Sequence, residues 1–402
     1  MFTPATVPIY YSFFAWGFGT GAQQLARPLF AYALTGNEFL VALMISMNAI
    51  PRIVTGPLTG YLADRIGRKP LAILGPSLRG LSNLGQFFAT DFPTFFALEF
   101  MGQVGVSMWG TTSNVLLADI TTTSERGRVQ ALRQMSTRMG LVTGPALGGV
   151  LAVAFGFPSL FLLNAVTKLF IVVIVWLKVE ETRPEPMGME KARPALHHQP
   201  TLAANPYATR SFVAVAVAVA FTSLANAALL LTLLPVYAKE VVGVSESAVG
   251  LLISIAAALS FLVAYPNGML ADRFGRKASI VPSLLFLSLG SLVLSAGGAY
   301  GLLVLAVAVH GIGEGMAMGS NQAYAMDQAP ESGRGRFLGV VQMVQALGAF
   351  VGPLTVGAIY QGVSPAVAFT MLATSLAIAA AVVGVSGRET AGRRARSRTP
   401  AE

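Results

Sequence analysis

The chain has 402 residues, of which 54% are hydrophobic and 11% charged, with 42 glycines, no cysteine and a formal net charge of +9. Soluble globular chains carry about 25% charged residues, so an ordinary cytosolic enzyme, a disordered chain and a DNA-binding chain are excluded. At about 20 residues per membrane crossing, the length admits twelve crossings joined by short loops.

Twelve apolar runs are predicted as spans, near 8–31, 39–62, 70–90, 93–118, 129–153, 159–177, 212–235, 245–268, 279–297, 301–325, 336–360 and 365–385. Helices are expected, because in hydrocarbon each backbone N–H and C=O must be satisfied within its own segment or in a closed barrel, and the runs are too long for barrel strands. The stretch before the first span, MFTPATV, has no Lys or Arg, and the span itself ends in Gln23, Gln24 and Arg27 instead of a small-residue cleavage site. That span is expected to remain in the mature protein. The lack of cysteine excludes disulfide staples, thiol catalysis and cysteine metal sites.

Most of the 27 basic residues fall in loops 2–3, 4–5, 6–7, 8–9 and 10–11 and in the tail at 388–402, whereas the opposite loops hold only Lys239. The positive-inside rule then places both termini in the cytoplasm of a multi-pass protein of the plasma or bacterial inner membrane. The tail RRARSR at 393–398 is first a topology signal and second an attraction to anionic lipid. No nucleic-acid partner is expected, since a basic surface on a soluble domain is missing.

The sequence repeats itself. GYLADRIGRKP at 60–70 returns as GMLADRFGRKA at 268–278, an offset of 208. At the same offset Asp119 meets Asp327, RGR at 126–128 meets RGR at 334–336, and Gly140, Gly144, Pro145 and Gly149 meet Gly348, Gly352, Pro353 and Gly357. The expected fold class is an all-α membrane protein: twelve transmembrane helices in two pseudo-symmetric six-helix bundles, at 1–180 and 211–387, joined by a cytoplasmic linker at 181–210. With an even number of spans each, both bundles enter from the same side, a parallel repeat about the membrane normal, and a substrate is expected between them near mid-membrane.

The segment GPLTGYLADRIGRK at 56–69, with its degenerate copy at 268–277, resembles the signature of the major facilitator superfamily between its second and third helices. The resemblance covers nearly the whole chain. It implies a rocker-switch secondary transporter whose central cavity is lined by spans 1, 2, 4 and 5 and by 7, 8, 10 and 11, with the signature acting as a cytoplasmic latch. The latch residues are Gly60, Asp64, Arg65, Gly67, Arg68 and Asp119 in the first half and Gly268, Asp272, Arg273, Gly275, Arg276 and Asp327 in the second. Physically, Gly60 and Gly268 permit close helix approach, and Asp64 or Asp272 suits a helix start. Arg68 and Arg276 can each reach a carboxylate at the end of the fourth span of their half, in a pair that holds one conformation and breaks in another. The alternative is that these charges only set topology.

GLVTGPALGG at 140–149 resembles the glycine-proline motif of the drug-proton antiporter branch, which implies efflux. On physical grounds Pro145 bends the span, while Gly140, Gly144, Gly148 and Gly149 open a smooth face for a neighbouring helix; a packing motif without bearing on direction is the plainer reading.

Ionisable groups inside a bilayer need a partner, water or a task. At about 1.5 Å per residue, Arg52, Arg79, Arg138, Lys168, His310 and Glu314 fall near the middle. Arg27 and Glu99 fall together near the outer ends of spans 1 and 4, as a structural or gating pair or as a substrate or proton site. Arg52 and Arg138, on cavity-lining spans, are better placed to meet an anionic group than Arg79 and Lys168. His310 and Glu314 are one turn apart, which suits proton coupling or a buried structural pair; metal binding lacks a third ligand. Tyr10, Tyr11, Phe14, Trp16, Gln23 and Gln24, with Trp109, Asn114 and Asn226, are candidates for an amphipathic cavity.

No G-x-S-x-G, H-E-x-x-H, G-x-x-x-x-G-K-[ST] or cofactor fingerprint occurs, so neither an enzyme nor a cofactor is expected. The expected function is proton-coupled efflux of small organic, amphipathic compounds by alternating access. Its partners are the substrate, protons and the bilayer, and its state is a monomer. An importer or exchanger of organic anions, or a lysolipid flippase of the same fold, is the alternative.

Overall fold

The computed structural model describes residues 7–119, 126–181, 209–330 and 334–390. Of the residues singled out in the sequence, Arg52, Gly60, Asp64 and Asp119 lie outside its described side chains. Twelve helical rods are present among the described residues, with no strand. In the first half they are α1 (Val7–Thr35), α2 (Glu38–Met47 continued by Ala49–Ile66), α3 (Arg68–Phe87), α4 (Phe92–Asp119), α5 (Arg126–Phe155) and α6 (Pro158–Lys178). In the second they are α7 (Arg210–Val241), α8 (Glu246–Phe274), α9 (Lys277–Ser295), α10 (Tyr300–Gln328), α11 (Arg334–Gly362) and α12 (Pro365–Ser386).

Local chemistry sets the ends of these rods. Asn37 and Ser245, 208 residues apart, cap α2 and α8 by accepting from Leu40 N (2.9 Å) and Ala248 N (3.3 Å). Ser364 does the same for α12, accepting from Val367 N at 3.2 Å. The breaks between α2 and α3 and between α8 and α9 fall at Gly67 (φ +101°) and Gly275 (φ +111°), a backbone region that other residues rarely enter. Two rods depart from the continuous helices expected. α2 breaks at Asn48 because Pro51 has no N–H to give to the carbonyl four residues back and its ring crowds that carbonyl. α7 widens into π-helical turns at Asn226–Leu233 and Tyr237–Val241, on either side of Pro235.

Among the described residues, α5 to α12 are each long and apolar enough to cross a membrane. Three of the remaining rods, α1, α3 and α4, are diluted by Gln23, Arg79, Asn83, Gln86, Glu99 and Gln103, polar groups that are nevertheless buried. That combination is tolerable in hydrocarbon only if these groups satisfy one another.

Packing repeats with the sequence. In the first half α1 packs on α5 and α6, α3 on α4 and α6, and α2 on α4; in the second, α7 packs on α11 and α12, α9 on α10 and α12, and α8 on α10. Between halves the main contacts are α5 with α8 and α2 with α11, which exchange under the same offset. Glycines set both kinds of approach. A Cβ at Gly140, Gly144 or Gly148 would run into the α1 segment from Phe14 to Ala22, and one at Gly348 or Gly352 into Ala220 and Leu224 of α7. Gly149 instead meets Glu246 and Ser247 of α8, and its counterpart Gly357 meets Ala42 of α2.

Candidate functional site

The contacts between halves gather at one end of the bundle. There Ser247 Oγ donates to the Gly149 carbonyl (3.3 Å), Phe39 N donates to Gln361 Oε1 (3.1 Å), and Gly250 abuts the Pro145 carbonyl. Every one of these residues lies at the end away from the basic loops. Toward those loops the halves part around a cavity of about 530 Å³, which reaches Met326 and Leu338 beside the loop between α10 and α11. Its polar wall carries Arg138 from α5, Asn226 from α7, Glu314 and Asn321 from α10, and Gln342 and Gln345 from α11. Apolar surface comes from Val219, Leu231, Met318 and Val341. A second chamber of about 170 Å³ continues toward the closed end between α1, α2, α7 and α11, and Ala227, Leu231 and Ala349 line both.

Arg138 and Glu314 therefore face one space from opposite halves. The Glu314 carboxylate lies within reach of the Asn226 side chain and of the Arg138 guanidinium. The guanidinium of Arg138 itself donates toward the Met318 sulfur. Asn226 opens the first π-helical stretch of α7, and wide turns of this kind are frequent at functional sites. Asn321 Nδ2 donates to Thr222 Oγ1 (3.1 Å), tying α10 to α7 one turn closer to the basic end.

His310 does not join this site. It is 0% exposed, and both ring nitrogens lack a hydrogen-bond partner. Its backbone and Cβ face Gly290 of α9. The i, i+4 spacing puts it above Glu314, but packing against α9 turns the imidazole away from the cavity, so the paired acid and imidazole expected from the sequence is replaced by Glu314 with Asn226 and Arg138.

A second polar cluster lies inside the first half. Glu99 accepts from Arg27 Nη1 (3.1 Å) and Gln103 Nε2 (2.7 Å) on one oxygen, and from Arg79 Nη1 (3.1 Å) and Gln86 Nε2 (2.9 Å) on the other. Arg79 Nη2 also donates to Gln23 Oε1 (2.7 Å), as does Asn164, while Gln23 Nε2 donates to Asn83 and Gln86. The expected Arg27–Glu99 pair is present, and Arg79, expected on a peripheral span, completes it. Lys168 is fully buried; its Nζ lies 3.4 Å from the Trp16 carbonyl and 4.2 Å from the centre of the Trp16 ring. Trp16 stacks on Trp109, which with Phe13 forms a packed aromatic cluster that lines neither of the two chambers described. Tyr10 is buried, whereas Tyr11, Phe14 and Asn114 are exposed away from both chambers.

The described residues of the duplicated loop motif cluster within their own halves. Arg276 binds Asp272 (Nη1, 2.7 Å) and Asp327 (Nε, 3.1 Å), and Arg273 lies over Phe274. In the first half Arg65 lies over Tyr61, and Arg68 is buried with Nη1 3.4 Å from the Ala63 carbonyl. Among the described residues nothing lies within 4 Å of a would-be Cβ at Gly268, so the close helix approach expected there is not made among them with the basic end open. The starts of α3 and α9 are held by two carboxylates outside the residues expected from the motif. Glu181 accepts from Arg68 N (2.8 Å) and Lys69 N (3.1 Å), and Glu389 from Arg276 N (2.5 Å). They are 208 residues apart, and each would collide with a Cβ at Gly67 or Gly275. The offset alone could have found them. Thr390 adds a hydrogen bond to Asp327 at 2.9 Å.

Among the described residues no group of three His, Asp or Glu could hold a metal ion.

The model of the Major Facilitator Superfamily matches residues 9–245 and 215–401. The chain is 25% identical over 366 residues to the MFS-type transporter YdeG of Bacillus subtilis, covering 87% of this chain and 84% of the relative. It is 26% identical to the multi-drug resistance efflux pump PmrA of Streptococcus pneumoniae, covering 85% and 81%. It is also 26% identical to the class C tetracycline resistance protein of Escherichia coli, covering 79% of each. A solved peptide transporter POT in complex with sulfate shares the fold, with a TM-score of 0.79 at 15% identity over 94% of this chain and 93% of that one. Duplicated motif, twelve rods and a cavity between matched halves agree with these matches, and the chain belongs to the major facilitator superfamily, a multi-pass membrane transporter and not an enzyme.

Proposed function

We propose that the protein exports small organic, amphipathic compounds in exchange for protons, by alternating access between the halves 1–180 and 211–387, as a monomer with both termini in the cytoplasm. The observation that carries this reading is Glu314, the acidic residue of the described cavity lining, facing Arg138 across the boundary between halves. A carboxylate there can hold either a proton or the cationic end of a cargo, and exclusion of one by the other couples their movements. Arg138 offers the carboxylate a partner when both have left. The cavity of about 530 Å³ lies within the range of about 300–1,000 Å³ typical of sites for drug-sized ligands, and its mixture of amides, methionine and aliphatic side chains suits amphipathic cargo. Multidrug and tetracycline resistance proteins among the relatives support efflux as the direction.

On this reading the basic loops are cytoplasmic, the cavity opens to the cytoplasm, and the Arg276–Asp272–Asp327 cluster serves as a latch that re-forms across the halves when that end closes. Arg138 in the same wall supports one other reading, exchange of organic anions. Everted vesicles separate the two. Accumulation of a fluorescent amphipathic cation that collapses on adding a protonophore is the expected result. Accumulation of organic anions alone, indifferent to the protonophore, would replace export of cations with anion exchange.

A further inference from the structure

We propose that the smaller chamber is an anion site, one that takes a chloride-sized inorganic anion or the carboxylate of a cargo and holds it with Arg27 beyond the Glu314 cavity. The inference rests on the transport reading only in treating the two chambers as one pathway; the site itself stands on its own charges.

Three observations converge. First, the polar cluster of the first half is short of negative charge: among the described residues, the Arg27 and Arg79 guanidinium groups share the one carboxylate of Glu99. Buried charges without counter-charge are costly in a low-dielectric interior, so a net positive cluster favours an anion beside it. Second, Arg27 is committed to Glu99 through Nη1 alone; its Nε–H is buried and has no partner, although the side chain is only 12% exposed. An unmade hydrogen bond from a buried guanidinium is expensive, and a small turn of the side chain toward the chamber would let an anion complete it. Third, Arg27 lines the chamber of about 170 Å³ together with Thr20, Gln24 and Asn48, which add donors of the neutral kind that bind an anion without competing with it. Asn48 is placed there by the break that Pro51 imposes on α2. Among the described residues the chamber has no acidic lining residue, which separates it from the Glu314 cavity, where an anion would meet a carboxylate.

The test is thermal unfolding of the purified protein at constant ionic strength, titrating sodium chloride, sodium acetate or sodium benzoate against sodium isethionate, a bulkier sulfonate without a carboxylate. The expected result is a saturable rise in Tm of about 2–4 °C, as ligand linkage gives for a site filled well above its Kd. A rise with chloride identifies a free inorganic anion; a rise with the carboxylates alone identifies the acid group of a cargo. Arg27→Gln should abolish the rise. Because that change also releases Glu99, Ala346→Leu, which fills the chamber from α11 and keeps both members of the Arg27–Glu99 pair, should abolish it as well, while Arg138→Gln in the larger cavity should leave it. Equal Tm in all four salts, or a rise that survives Ala346→Leu but disappears in Arg138→Gln, would overturn the proposal. Neither readout needs transport: an anion response in a protein that exports nothing would sink the efflux reading and keep the site, and export without an anion response would do the reverse.

Discussion

At the scale of single residues, the two clusters spend their charges differently. Glu99 has both oxygens saturated by two arginines and two glutamines and is exposed by only 1%, so it has no lone pair left for a proton or a cargo. Its part is to fasten α1, α3 and α4 together. Removing one partner of such a buried group leaves the others uncompensated, at a cost of about 3–5 kcal/mol. Glu99→Gln is therefore expected to lower Tm sharply or abolish recovery of folded protein, whereas Glu314→Gln, at a half-buried site with open cavity beside it, should keep Tm near that of the parent. Comparable Tm values for the two variants would contradict this division. Depth arithmetic along the sequence is enough to pair Arg27 with Glu99. It cannot bring in Arg79, because which way a side chain on α3 points is decided by helix rotation, and rotation depends on neighbours. The same limit explains His310. Spacing of four residues puts it beside Glu314 along α10, yet a small residue at Gly290 draws that face of α10 onto α9.

At the scale of elements, the glycine ladder of α5 is a two-sided device. Gly140, Gly144 and Gly148 seat α5 against α1 within one half, while Gly149, one residue on and therefore rotated by about 100°, meets α8 of the other. The motif thus joins a permanent interface to one that must part in the transport cycle. Gly144→Leu would drive a side chain into the backbone of Phe18 and Gly21, and overpacking of this kind costs about 1–3 kcal/mol; Tm should fall and transport with it. Gly149→Ala should instead leave Tm almost unchanged and weaken closure of the outer end, seen as a lower transport rate at unchanged substrate binding. The internal repeat makes most of the helices and both copies of the loop motif legible in the amino-acid sequence itself. It also contains the caps Glu181 and Glu389, which lie at the same offset but outside the aligned motif. The π-helical turns of α7 are not legible there, since Pro235 marks a disturbance without specifying that Asn226, nine residues earlier, begins it.

At the scale of the whole molecule, matching interfaces on either side of the pseudo-symmetry axis make a rocking motion the natural way to pass a cargo. α5 with α8 and α2 with α11 close one end together, and neither can open without the other. The native chain has no cysteine, so a single introduced pair reports cleanly. Ala42→Cys with Gly357→Cys places two thiols across the α2–α11 contact, where a Cβ at Gly357 would touch that of Ala42. Oxidation should cross-link the pair and stop transport, and reductant should restore it. Free turnover in the fully cross-linked protein would mean that this end need not open.

Proton coupling through Glu314 is tested most directly by recording internal pH in proteoliposomes while an amphipathic cation is supplied under an imposed proton gradient, for the parent and for Glu314→Gln. Protons are expected to move opposite to the cation in the parent. In the variant the cation should still bind, but its movement should no longer drive or follow protons. Proton exchange of the same size in both would remove Glu314 from the coupling step and with it the proposed mechanism.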